Sequence, residues 1–133
     1  MKQTLLRQEY PVFKLEMTKA ETRFASVDAI IAYLEQRIRA HPAARYIATF
    51  DHYRHTEALP QGEVTPEILA AKNIVFCFGL ALPDPDVLAS RPRAIGVAEL
   101  ADRFVVTFLE APMPVANSAM EDWVKSLADR AAA

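Results

Sequence analysis

The stretch Ile74–Leu82 reads IVFCFGLAL and contains no charged side chain. Such a run is far shorter than the ~20 residues that cross a bilayer. A continuous apolar segment of this length is typical of a β-strand that is buried on both faces and lies inside a sheet, not at its edge. The sequence therefore predicts a domain built around a central strand over Ile74–Leu82.

Length and composition indicate one domain over residues 1–133. Apolar residues make up 52% of the chain, which allows a packed core and excludes a disordered protein. The formal net charge of −2 provides no positive field, so we expect no nucleic-acid partner. A single cysteine suits a reducing compartment. Met1–Leu15 lacks the apolar core of a signal peptide, so we expect a cytoplasmic protein without a membrane segment.

Two amphipathic helices are indicated by apolar residues that recur every three or four positions. The first helix begins after Ser26, a good N-cap, and ends before Pro42. The second is expected to begin at a capping box formed by Ser118 and Glu121. The apolar stripes are Val27, Ile30, Ile31, Leu34 and Ile38 in the first helix, and Met120, Trp123, Val124 and Leu127 in the second.

Four further segments have the alternation or the β-branched and aromatic content of strands. They are Tyr10–Met17, Ala44–Tyr53, Ile95–Leu100 and Arg103–Glu110. The last two are expected to form a hairpin around Ala101 and Asp102. Short helices are expected where Thr65 caps Pro66–Leu69, and where Asp84 precedes Pro85.

This order of elements predicts an α+β fold. We expect a mostly antiparallel sheet of about five strands with the two long amphipathic helices packed on one face. Strands 74–82 and 103–109 carry apolar residues on both faces, so the other face also needs a cover. A second copy of the chain is the expected cover, which predicts a homodimer through the sheet or its edge. The alternative is that segments 66–72 and 85–90 cover this face.

The densest polar and aromatic cluster is Asp51, His52, Tyr53 and His55, where a strand opens into a long polar connection. We take these residues as candidate ligand-binding groups, because binding residues often lie on such connections. His52 in particular is a candidate general base or anion contact. The alternative is a hydrogen-bonded histidine at a strand end with no further role.

Arg91, Arg93 and Glu110 complete the candidate site. The two arginines flank a proline and are suited to holding a carboxylate or phosphate. The enzyme hypothesis uses His52 as base, positioned by Asp51 or Glu110, with the arginines holding an anionic substrate. The alternative for the arginines is a surface ion pair with a nearby carboxylate.

No cofactor motif and no metal site is indicated. GxGxxG, P-loop, GxSxG, HExxH and CxxC patterns are all missing from the sequence. His52 and His55 are three residues apart with Asp51 and Glu57 nearby, but no further ligand has metal-site spacing. Cys77 lies inside the apolar run and is interpreted as a small, unreactive core residue.

Three segments resemble a family of small bacterial proteins described only as a domain of unknown function: ATFDHYRHT, KNIVFCFGLALPDPDVLASRPRAIGV and FVVTFLEAP. A more distant likeness joins Asp51 and His52 at a strand end to a following apolar strand and to Glu110 before Pro112. The resemblance implies a compact α+β domain, commonly dimeric, with no settled activity.

The sequence is therefore compatible with three functional hypotheses. The first is a cytoplasmic homodimer that binds a small molecule or partner near Asp51–His55. The second is the His52 enzyme, and the third is a dimeric interaction module without a pocket. Catalytic residues are not assigned by the sequence.

Overall fold

The computed structural model describes residues 1, 3 and 11–129. Most of the Met1–Leu15 segment, and the predicted start of the first strand at Tyr10, lie outside these residues. The described strands form one antiparallel sheet in the order β1-β5-β4-β3-β2. They are β1 (Val12–Thr18), β2 (Ala44–Asp51), β3 (Ala70–Phe78), β4 (Arg93–Glu99) and β5 (Arg103–Leu109). The predicted α+β class is thereby confirmed.

Two long helices lie against one face of this sheet. Helix α1 (Val27–Ala40) begins as predicted, since the Ser26 side chain accepts a hydrogen bond from the Ala29 N–H at 3.0 Å. Helix α3 (Pro114–Lys125) contributes Met120, Trp123 and Val124 to the same core. Both predicted apolar stripes are buried, because they form a single hydrophobic cluster with the sheet residues Ile74, Phe76, Phe104 and Val106.

The start of α3 was predicted wrongly. The helix begins at Pro114, four residues before Ser118, so Ser118 lies inside the helix and does not cap it. Pro114 occupies the first turn, where its missing N–H carries no penalty. Asn117 accepts a hydrogen bond from the Ala111 N–H at 2.9 Å and holds the preceding segment against the helix.

The second strand is shorter than predicted, because β2 ends at Asp51. His52–Ala58 forms a short helix, α2, in place of the predicted strand end and polar connection. The predicted helix at Pro66–Leu69 is not formed, and the chain makes only a turn there. The Leu69 N–H donates to the Glu99 carbonyl at 2.9 Å, which draws this segment into the sheet.

The central strand is also displaced from its predicted position. β3 covers Ala70–Phe78, four residues earlier than Ile74–Leu82, and Leu80 and Leu82 are exposed beyond its end. Pairing with β4 on one side and β2 on the other sets these limits. Its interior position in the sheet is confirmed, but its burial on both faces is not. Ile74, Phe76 and Phe78 are buried on one face, whereas Val75 and Cys77 on the other face are half-buried. A 3₁₀ helix over Pro85–Ser90 follows, capped by Asp84 as predicted.

Candidate functional site

Asp51 is the residue at which β2 ends and α2 begins. Its side chain accepts a hydrogen bond from the Arg54 backbone N–H at 3.0 Å, the geometry of a helix N-cap. The same carboxylate lies 3.9 Å from Lys72 Nζ, which is itself 2.7 Å from a carboxylate oxygen of Asp28. Asp51 therefore connects the start of α2 to the start of α1 through Lys72.

His52 and His55 lie on the exposed side of α2. Their rings pack against Phe50, with centroid distances of 5.4 and 5.2 Å, and lie 6.3 Å from each other. We call Phe50, His52 and His55 the ring cluster. Because all three side chains are exposed, the ring cluster forms a surface patch and not the lining of a pocket.

Asp51 and Tyr53 do line a cavity, of about 400 Å³, beside the start of α1. Lys72 and Glu99 are among its other lining residues, and both are held in ion pairs: Lys72 with Asp28, and Glu99 with Lys19 at 2.7 Å. Neither histidine of the ring cluster lines this cavity. The structure thus divides the predicted Asp51–His55 cluster between a polar cavity and an exposed patch.

Arg93 and Glu110 come together at the end of β5. Arg93 donates hydrogen bonds from Nη2 to the Leu109 carbonyl at 2.6 Å and the Glu110 carbonyl at 3.1 Å, and from Nη1 to the Ser90 carbonyl at 3.2 Å. Arg91 lies two residues before Arg93, at the same end of the sheet. These three predicted residues are therefore neighbours.

The arginines and His52 are not brought together. Asp51 pairs with Lys72 of β3, whereas Arg93 pairs with Phe76 of the same strand, four residues further along. At about 3.3 Å per residue, the two pairs lie about 13 Å apart along the strand. His52 and the arginines therefore do not lie at one site, as the enzyme hypothesis requires.

The side of the sheet opposite α1 and α3 has no covering layer in the described part of the chain, and we call it the open face. Most of its central residues are small or β-branched: Val75, Ala94, Gly96, Ala98, Val105 and Thr107. Asn73, beside Gly96, is a polar residue among them. The 3₁₀ helix reaches only one end of it, and Ala70–Lys72 belongs to β3, so the predicted alternative cover over 66–72 is not formed.

Four large apolar side chains on the open face are exposed to solvent. Their exposed fractions are 59% for Val12, 51% for Ile47, 42% for Phe50 and 48% for Leu109. Ile47 occupies a β-bulge, where the pairing of β2 with β3 shifts by one residue. Strict alternation along the predicted strand Ala44–Tyr53 would place Phe50 on the same face as Tyr46, which packs against the core. The bulge, which the sequence does not reveal, places Phe50 on the open face.

Cys77 is half-buried on the open face and not part of the core cluster. Its sequence interpretation as a buried residue was therefore only partly right. No group of three or more His, Cys, Asp or Glu side chains with metal-binding geometry occurs within residues 1, 3 and 11–129. In the same residues, no helix is long and apolar enough to cross a membrane.

A comparison of the chain with known families gives one match, over residues 1–129. The chain belongs to the family of unknown function DUF6858. The expected membership of an uncharacterised α+β family is confirmed. No curated protein and no solved structure matches the chain. Since the family description names no activity, no residue role carries over from it to this member of DUF6858.

Proposed function

We propose that this DUF6858 protein is a homodimeric interaction module that assembles through its open face. The observation that carries the proposal is the exposure of Val12, Ile47, Phe50 and Leu109 around an apolar sheet surface. Large exposed apolar patches mark interaction surfaces, and a two-fold dimer covers the same patch on both copies.

The area of the open face supports a second copy as its cover. Strands of about seven residues, about 3.3 Å per residue and about 4.8 Å apart give a five-strand footprint of about 550 Å². Two such footprints amount to about 1,100 Å², above the ~1,000 Å² that a specific interface requires. The small central residues allow two sheets to approach to the usual ~10 Å.

Two charges of opposite sign on this face are compatible with self-association. Lys14 and Glu16 both project from β1 on the open-face side, 3.0 Å apart, and both are about half exposed. In a two-fold dimer, each of these lysines can face the glutamate of the other copy. Two further cations on the same side, Arg45 and Arg103, lie on β2 and β5.

The face is favoured over the β2 edge as the dimer surface. The β2 edge is interrupted by the bulge at Ile47, and bulges of this kind protect edge strands from pairing with another chain. A dimer through the face does not depend on that interrupted edge.

The ring cluster then lies at the rim of the interface, because Phe50 belongs to the open face and both histidines pack on it. In this proposal, the partner expected near Asp51–His55 is the second copy. We further propose the cytoplasm as its location, since the single cysteine Cys77 is unpaired; fractionation of the source cells tests this point.

Sedimentation equilibrium at micromolar concentrations tests the dimer. We expect a mass of about twice 14.8 kDa for the natural protein. Ala94→Arg adds a long cation to the open face near the first residue of the interior strand β4 and is expected to give a monomer with unchanged circular dichroism. Ala32→Arg, on the exposed side of α1, is the matched control and is expected to stay dimeric.

A second variant, Phe50→Ser, removes an exposed ring of the face without touching the core cluster and is expected to weaken the dimer. A monomeric natural protein overturns the proposal. Dimerisation that survives both Ala94→Arg and Phe50→Ser in folded protein also overturns it.

A further inference from the structure

A second surface feature lies at the end of the sheet where β3 finishes. A cavity of about 380 Å³ opens between the 3₁₀ helix Pro85–Ser90, the end of β3 and the start of α3. Its volume is within the ~300–1,000 Å³ range of small-molecule sites. Apolar side chains form much of its wall, including Phe78, Ala111, Met113 and Ala116.

Two half-buried cations, Arg91 and Arg93, line this cavity. Arg93 is held by the carbonyls of Ser90, Leu109 and Glu110. Arg91 donates hydrogen bonds from Nη1 to the Ala81 carbonyl at 2.7 Å and from Nη2 to Met113 Sδ at 3.2 Å. Both partners are neutral, and Arg91 forms no ion pair with any residue in the described range 11–129. The predicted surface ion pair is therefore not formed, and the guanidinium charge is left for another group.

The contact with Met113 is one that a ligand can replace. A thioether sulfur is a weak acceptor, whereas an anionic oxygen forms a short, charge-assisted hydrogen bond with a guanidinium. Two of the five N–H donors of Arg91 have partners in these contacts, so a carboxylate can engage the others. Helix α3 begins at Pro114, and its N-cap residue Met113 provides no side-chain hydrogen bond, so the helix N-terminus adds to the positive potential of Arg91.

The mouth of the cavity limits how much negative charge a ligand can carry. Asp84 and Asp86 line it, and both are exposed. Their carboxylates disfavour a dianion or a phosphate, since like charges at short range repel. Arg93 is already hydrogen-bonded to three carbonyl groups, so Arg91 is the guanidinium that a ligand can engage. The apolar wall, Arg91 and the two acidic residues at the entrance together favour a singly charged, amphipathic ligand.

We propose that this cavity binds a small amphipathic monocarboxylate. Its carboxylate pairs with Arg91, and its apolar part lies against Phe78 and Ala116. The proposal is independent of the dimer, because Arg91, Phe78 and Ala116 do not belong to the open face.

Calorimetric titration with hexanoate tests the site, with hexanamide as the uncharged control of the same shape. We expect hexanoate to bind and hexanamide to bind at least tenfold more weakly. Binding can also be followed by tryptophan fluorescence. Trp123 is the single tryptophan of the chain and stacks on Phe78, a residue of the cavity wall, with a centroid distance of 5.6 Å.

Arg91→Gln is expected to weaken hexanoate binding by about tenfold or more, the factor that a charge-assisted hydrogen bond contributes. Arg37→Gln removes the same charge from the exposed side of α1 and is expected to change nothing. If Arg91→Gln does not fold, Val87→Phe fills the cavity and keeps the arginine; it is expected to abolish binding in a folded protein.

Three outcomes overturn this proposal: no hexanoate binding to the natural protein, equal affinity for hexanoate and hexanamide, or binding that persists in folded Val87→Phe protein. None of them bears on the dimer, which sedimentation of Ala94→Arg decides separately.

Discussion

Replacing Asp51 distinguishes a structural from a functional role for the central residue of the predicted site. Its carboxylate caps α2 through the Arg54 N–H, and it also lies 3.7 Å from Arg54 Nε and 3.9 Å from Lys72 Nζ. Asp51→Ala removes all three interactions, whereas Asp51→Asn keeps an oxygen that can accept the capping hydrogen bond. We therefore expect alanine to be clearly more destabilising than asparagine.

The magnitude follows from these three interactions. Loss of an N-cap costs about 1 kcal/mol of unfolding free energy. The Arg54 and Lys72 ion pairs are 3.7 and 3.9 Å long and their side chains are partly or largely exposed, so their loss together adds no more than about 0.5 kcal/mol. An unfolding entropy of about 2.1 cal/mol/K per residue converts 1 to 1.5 kcal/mol into a Tm decrease of about 4–5 °C for a chain of 133 residues.

Urea denaturation and thermal melts at one fixed protein concentration measure the effect, because a dimer's stability depends on concentration. His52→Ala is the matched control, since His52 is exposed in the first turn of α2 and alanine is a good helix former. The capping account is refuted if Asp51→Asn lowers the Tm as much as Asp51→Ala, or if Asp51→Ala leaves it unchanged.

Three further predictions follow from local geometry. Gly62→Ala should destabilise the protein by about 1–3 kcal/mol in urea, because an ideal Cβ would lie 1.8 Å from the Thr56 carbonyl oxygen; an unchanged midpoint contradicts this. The hydrogen bond from the Thr18 backbone N–H lowers the pKa of Glu21 below 4.5. The contribution of ionised Glu21 to the free energy of unfolding is therefore fully present above pH 4.5 and is lost as the pH falls through the lowered pKa. Melts from neutral pH to well below 4.5 should therefore show a smaller acid-induced Tm decrease in Glu21→Gln than in the natural protein, and equal slopes argue against it. Cys77 should react with iodoacetamide more slowly in the natural protein than in the monomeric open-face variant, and equal rates contradict burial of the open face.

Local sequence was sufficient where an element's limits depend on its own residues. Helix α1 has a cap at Ser26, an apolar stripe and a proline after its end, so its start, end and buried face could all be predicted. The 3₁₀ helix after Asp84 was predictable for the same reason. In both cases, neighbouring residues supply the hydrogen bonds that begin the element.

Local sequence was misleading where distant residues set the limits. The apolar run Ile74–Leu82 contains only part of β3, because its position depends on pairing with β2 and β4. Asp51 was correctly assigned to a strand, but His52 and Tyr53 were assigned to the same strand although they form the first turn of α2. Pro114 was a usable signal for the start of α3, but the segment before it was interpreted only as a strand end.

The sequence by itself determined the α+β class, the two amphipathic helices and the apolar character of both faces of the sheet, since these depend on residue periodicity. Only the tertiary structure decided how the candidate residues are distributed. The antiparallel register separates His52 from Arg91 and Arg93, and the bulge at Ile47 turns Phe50 onto the open face. Strand register is fixed by hydrogen bonds between segments far apart in the chain, and a shift of one residue moves a side chain to the opposite face.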